Sequence, residues 1–234
     1  ISNRINIIIN CAAYTAVDNA ENQLIIANKI NHLAVKNLAD ISKNRNIQLI
    51  HISTDFVFDG NSIIPYTEED IPNPLSVYGR TKLDGEIAIK KINPSNSIII
   101  RTSWVFSKLG SNFVTTMLNL SKKHNEINVV HNQFGSPTSA SDLACVILEI
   151  LPQIKNNEVE IYHYSNSGYC SWYEFAIIIF ELSNIRIKIN PIDNKEFKRL
   201  ASIPNYSVLN CNKVINRYSL DINCWKTSLN KVLK

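Results

Sequence analysis

Ile5-Asn6-Ile7-Ile8-Ile9-Asn10 runs straight into Cys11-Ala12-Ala13-Tyr14-Thr15. The isoleucines do not alternate with polar residues as a strand with one wet face would. A continuous apolar run of this kind marks a parallel strand covered on both faces, and a buried strand is predicted over 5–11. The small and polar residues that follow stand where a parallel strand presents its carboxyl end, the place where ligand chemistry sits in such sheets.

Working outward, the pattern recurs. A long helix is expected from Asp18 to Asn44, with Ile25, Ile26, Ile30, Leu33, Ala34, Leu38 and Ile41 as its apolar residues. Ile47 to Ile52 reads as a second strand ending at Ser53-Thr54-Asp55. A Pro-rich loop (Pro65, Pro72, Pro74) leads to a helix carrying Tyr78 and Lys82. Ser97 to Arg101 is a third strand, ending at Thr102-Ser103-Trp104. Beyond it the sequence predicts a helix over 112–123, a strand over 127–130, a loop over 132–138 and a helix over 139–154. A strand over 160–164 and a helix over 171–182 follow, and then a mixed tail from Ile185. Apolar strands alternating with amphipathic helices give an α/β fold, a doubly wound parallel sheet.

The 234 residues suffice for one large domain or two small ones. A net charge of +4 with scattered lysines argues against a nucleic-acid or membrane surface, while it suits anionic ligands. The five cysteines are widely spaced with no C-x-x-C, so neither a zinc site nor a disulfide framework is indicated and no metal is expected. Reduced thiols, no signal peptide and no apolar run long enough to span a bilayer favour the cytoplasm.

Tyr78-Gly79-Arg80-Thr81-Lys82 carries the chemistry. A Tyr and a Lys four apart on a helix share a face, and a cation there favours the phenolate. A phenol so tuned serves as an acid near neutral pH, with a hydroxyl from a nearby strand end, that of Thr54, holding the substrate oxygen. Each residue also has a plainer reading. Lys82 could be an exposed helix lysine, Thr54 the close of a strand, Asp55 a cap or turn residue, and Trp104 part of the core or rim.

The segment Asn10–Glu21 resembles the N-A-A-Y-T-A-V-D-x-A-E block of dTDP-4-dehydrorhamnose reductases. Four further blocks follow in the order that family has them. Ser53–Gly60 is similar to S-T-D-Y-V-F-D-G, Tyr78–Glu86 to Y-G-x-T-K-x-x-G-E, and Arg101–Phe106 to R-T-S-W-V-[YF]. Gln133–Thr138 with Asp142–Ala144 is similar to D-Q-x-G-x-P-T…D-L-A. The resemblance implies an extended short-chain dehydrogenase/reductase. Its fold is a Rossmann-like sheet with a smaller mixed α/β C-terminal substrate-binding part. It implies reduction of a dTDP-4-keto-6-deoxyhexose by NADPH or NADH, and a homodimer as one option. Tyr78 is then the proton donor and Lys82 its electrostatic partner and a ligand of the nicotinamide ribose. Thr54 stands in place of the usual Ser. Asp55 and Trp104 face the sugar, and Ala12, Ala13 and Thr15 line the cofactor. The expected division is 1–132 for the cofactor part and 133–234 for the substrate part, with 139–154 and 160–164 returning to the main sheet.

The sequence departs from the family in three places. The glycine-rich βαβ turn that opens the family does not occur in the 234 residues, so the full protein is expected to be longer or the chain a remnant. Asn132 replaces an Asp. Ile203 replaces the Arg of A-x-R-P-x-x-S-x-L, with Lys198 and Arg199 close by as substitutes. An Arg fork is the natural ligand of a diphosphate, so the nucleotide sugar stays open. Another nucleotide-linked keto-deoxysugar is one alternative. A non-catalytic subunit, like the regulatory partner of methionine adenosyltransferase, is the other.

Overall fold

The computed structural model describes residues 5–234. The chain opens with β1 (Ile7–Asn10), α1 (Val17–Asn22), α2 (Leu24–Asn28), a π-helical turn at Lys29–Leu33, and α3 (Ala34–Arg45). Next come β2 (Gln48–Thr54), α4 (Val77–Ile92), β3 (Ile98–Thr102), β4 (Val105–Phe106) and α5 (Phe113–Ser121). They are followed by β5 (Glu126–Val130), β6 (Phe134–Gly135), β7 (Thr138–Ser139), α6 (Ala140–Ile150) and β8 (Glu160–His163). The remainder is β9 (Cys170–Ser171), α7 (Trp172–Leu182), β10 (Lys188–Ile192), α8 (Asn212–Tyr218) and α9 (Trp225–Leu233).

The main sheet has the order β1-β2-β3-β8, all parallel, with Ile9 opposite Ile50, Ile50 opposite Ile98, and Ile98 opposite Glu160. Leu49 and Ile99 pack under Val35 and Ala39 of α3 and Ile89 of α4. Ile50, Ile98 and Ile100 point the other way, into Val146, Ile147 and Ile150 of α6 and Val214 and Tyr218 of α8. Both faces are therefore covered, the arrangement the apolar runs predict. Each isoleucine buried this way contributes about 1.5–3 kcal/mol.

β1 is the exception. It lies at the sheet edge, where Ile7 and Ile9 are 40% and 39% exposed. Ile8 alone joins the cluster under α3 and α4, and α6 and α8 do not reach across to the other face. The long helix also differs from expectation. It breaks at Gln23, which leaves the helical region at φ −127°, and passes through the π-turn. Ile25, Ile26, Ile30, Leu33 and Ile41 are exposed, and the buried stripe is Ala27, Asn31, Val35 and Ala39. Small and polar residues win that face because α4 lies close against it. Asn31 donates from Nδ2 to Thr81 Oγ1 at 3.1 Å and accepts the Tyr14 N–H at 2.8 Å.

A second core is built from Phe106, Val114, Phe175, Ile179 and Trp225, with β5 and β10 paired in parallel at its edge. α5 and β5 thus pack with α7 and β10, while β8 pairs with β3 of the main sheet. Among the described residues no helix is long and apolar enough to cross a membrane.

Candidate active site

The carboxyl ends of β1, β2 and β3 open onto one cleft of about 610 Å³. Ala13, Thr15, Thr54, Asp55, Tyr78, Lys82 and Trp104 all line it. Ala12 does not. It is exposed, and its N–H donates to Asn10 Oδ1 at 3.2 Å.

The start of α4 is what brings Tyr78 to the strand ends. Ser76 caps the helix, accepting the Gly79 N–H at 3.1 Å, and Glu21 Oε1 accepts the Val77 N–H at 2.9 Å. A Cβ on Gly79 would overlap the Phe56 carbonyl oxygen, so glycine lets the helix sit directly on the turn Asp55–Val57. Tyr78 meets Phe56 edge to face at 5.8 Å.

Thr54 caps that turn, accepting the Phe56 N–H at 3.2 Å and donating to Asp55 Oδ1 at 3.1 Å. The capping reading holds here, and Thr54 and Asp55 also line the cleft. Asp55 is 2% exposed, and its Oδ2 has no partner. Burial pushes its pKa up to about 7, against the opposing hydroxyls of Ser207 and Thr54. Unfolded, the same carboxyl titrates near 3.8. The folded chain holds a proton that the unfolded chain has released, so stability is full below the lower value and falls as pH rises through the upper one. Asp55→Asn is therefore expected to raise the urea midpoint at about pH 8 and to leave it nearly unchanged at about pH 4. Equal shifts at the two pH values would contradict a raised Asp55.

Lys82 is 1% exposed, which removes the exposed-lysine reading. Its Nζ donates to Ile52 O at 2.6 Å and lies 3.2 Å from His51 Nε2. Burial lowers its pKa to about 8, with Glu86 and Cys11 pulling the other way. In this arrangement the Lys82 amino group is engaged with β2 and not with the phenol. Tyr78 is pushed up to about 12, chiefly by burial, with the Thr54 hydroxyl opposing and the Asp55 charge adding to it. The phenol is therefore held as the acid form.

Trp104 takes a left-handed backbone at φ 46°, uncommon for a bulky residue. Its ring stacks on Trp172 at 3.3 Å, and a Cβ on Gly135 would overlap it. Much of its surface is thus spent within the protein, although it still borders the cleft. Ile203 is not among the cleft-lining residues, and Lys198 and Arg199 are exposed beside it.

Reading the sequence alone did not single out two further groups. Arg101 forks onto Glu86, with Nη2 to Oε2 at 2.7 Å and Nε to Oε1 at 3.0 Å, and both are 1% exposed. Ser53 also donates to Glu86, and Phe58 lies 5.1 Å under the guanidinium. The other group is Asn10 and His51, joined Nδ2 to Nδ1 at 3.0 Å, with His51 next to Lys82. The available signal was polar residues set within runs that must be buried: Arg101 after Ile98-Ile99-Ile100, and His51 between Ile50 and Ile52.

A doubly wound parallel sheet whose strand ends face a Tyr-x-x-x-Lys helix defines a dehydrogenase/reductase of the short-chain class with a Rossmann-like fold. Residues 2–234 match the RmlD substrate binding domain, and the chain belongs to that family. It is 39% identical over 236 residues to the dTDP-4-dehydrorhamnose reductase of Sinorhizobium fredii, covering 97% of this chain and 79% of the relative. Among solved structures, the dTDP-4-dehydrorhamnose reductase of Clostridium acetobutylicum superposes with a TM-score of 0.92. That pair is 44% identical, over 97% of this chain and 80% of the other. The Bacillus anthracis reductase, solved in complex with NADP, gives 0.91 at 38% identity, over 97% and 79%.

Proposed function

We propose that this chain reduces the 4-keto group of dTDP-4-dehydro-L-rhamnose to give dTDP-L-rhamnose, using NADPH or NADH. The observation that carries the reading is the pairing of an acid-form Tyr78 with Thr54 and a buried, half-unpartnered Asp55 in one cleft at the strand ends. The likeness to reductases of that name supports it.

The cleft suits the nicotinamide end of a dinucleotide. Ala13 and Thr15 are small enough to leave room against the backbone, and Lys82 is within the lining to meet a ribose hydroxyl. When bound, a reduced nicotinamide supplies the hydride. Thr54 orients the carbonyl oxygen, and Tyr78 delivers the proton to that oxygen as the carbon is reduced. The orphan Oδ2 of Asp55 accepts from a sugar hydroxyl, which replaces the partner it lacks.

The C-terminal part serves as the cover. Tyr66 and Leu209 bridge in parallel, and Asp18 Oδ1 accepts the N–H groups of Leu200 and Ala201 at 3.1 and 3.0 Å. These contacts draw the 200–209 segment over α1 and the loop that follows β2. We place α5 and β5 with this part rather than with the sheet of residues 1–132, because they share its core. A cytoplasmic setting and a homodimer belong to the same reading. The exposed Leu24, Ile25, Ile26 and Ile41 support an apolar partner surface.

The test is consumption of nicotinamide absorbance with dTDP- and UDP-linked 4-keto sugars in parallel. Turnover of the dTDP sugar is expected, with the UDP sugar at least an order of magnitude slower through its different base and sugar contacts. Preference for the UDP sugar would overturn the substrate assignment. Binding without turnover of either would overturn the enzymatic one.

A further inference from the structure

The donors and acceptors around His51 favour one arrangement. The Ala12 N–H can only donate, and it points at Asn10 Oδ1. The Asn10 amide is thereby oriented with its Nδ2 toward His51 Nδ1. That ring nitrogen must accept. An imidazolium has two donors, so His51 is neutral, and a neutral ring that accepts at Nδ1 carries its proton on Nε2. The Nε2–H then faces Lys82 Nζ at 3.2 Å. An ammonium nitrogen has no lone pair to receive it, but a free amine does. A free amine still has protons to donate to Ile52 O, at 2.6 Å.

We propose that His51, fixed by Asn10 as its Nε2–H tautomer, is a positioning residue that parks Lys82 as the free amine, and that protonation of Lys82 releases it from His51 toward Tyr78. The link to Tyr78 rests on the reductase reading above; the parking itself does not. Two donors cannot share one hydrogen bond, so a proton arriving at Nζ breaks the His51 contact. The released ammonium lies in the wall of the cleft that Tyr78 also lines. Its charge there favours the phenolate left after proton donation.

The surroundings fit this role. Burial keeps His51 well below the ordinary histidine range and brings Lys82 down to about 8, so the lysine changes state close to neutral pH while the histidine stays neutral. The titratable groups facing Lys82 are His51 from β2, Cys11 from the segment after β1, and Glu86 from its own helix, whose charge Arg101 already answers.

NMR of lysine and histidine side chains in the ligand-free protein tests the inference without substrate or cofactor, so its outcome is independent of the reductase assignment. Lys82→Met identifies the lysine resonance. The expected result is an Nε2–H tautomer at His51 above the Lys82 transition. A single titration near pH 8 should charge Lys82 and change the His51 Nε2 environment together. Asn10→Asp supplies a carboxylate that accepts from Nδ1–H. It should invert the tautomer and move the Lys82 transition upward by about tenfold in proton concentration or more. A His51 Nδ1–H tautomer in the native protein overturns the proposal. So does a Lys82 that charges in the ordinary lysine range, or one that titrates with no change at His51. The native-protein measurement decides the matter even if the Asn10 variant fails to fold.

Discussion

Tyr78→Phe is expected to lower the rate of carbonyl reduction on the order of 10²–10⁴-fold, with dinucleotide affinity nearly unchanged. The substitution keeps the ring that meets Phe56 edge to face at 5.8 Å and removes only the hydroxyl. That hydroxyl is the phenol that lines the cleft with Thr54 at the strand ends. Its proton is retained across the working range, since burial holds the phenol at about 12. The measurement is single-turnover reduction of the 4-keto sugar alongside dinucleotide titration of both proteins. A variant that turns over normally removes Tyr78 from the chemistry.

Glu86→Ala is the substitution with the largest expected effect on stability. It leaves the Arg101 guanidinium 1% exposed among Phe58, Ser53 and His163 with no counter-charge. Breaking one side of a buried pair costs about 3–5 kcal/mol. Glu86→Leu combined with Arg101→Met removes both charges and should recover most of that loss. The pair is therefore expected to look costly when halved and nearly neutral when replaced whole. Urea midpoints of the single and double variants decide it. A double variant as unstable as Glu86→Ala would mean that the pair itself supplies net stability.

The sheet was legible because its signal is local. Ile98-Ile99-Ile100 and Leu49-Ile50 state their own burial, and β2, β3 and β8 sit within a residue or two of their predicted positions. The cleft-lining ends of β2 and β3 were legible for the same reason. The buried face of the 17–45 helical stretch was not. Isoleucine count pointed to one side, while close approach to α4 demanded Ala27, Asn31 and Ala39 on the other. β1 read as buried because the sequence shows the run but not which neighbours reach it. Where Lys82 goes was also hidden, since the helix period sets its face but the Ile52 carbonyl and His51 choose its rotamer. Trp104 was read as facing the sugar or as core or rim, and it borders the cleft; its stacking partner Trp172 lies 68 positions away, beyond any local pattern.

The contacts from Asp18 to Leu200 and Ala201 join residues separated by 182 and 183 positions. Chain closure over that span is among the last things a growing polypeptide achieves, because synthesis delivers the two ends far apart in time. Three of the four strands described for the main sheet are present once β3 has emerged, but the wall over the strand ends waits for the segment 200–209. Tyr78 and Thr54 therefore meet before the segment that walls them is made, and enclosure is acquired later than the residues it encloses. Losing the residues from about 200 onward would spare the strands of the main sheet and strip away the shelter in which its chemistry operates.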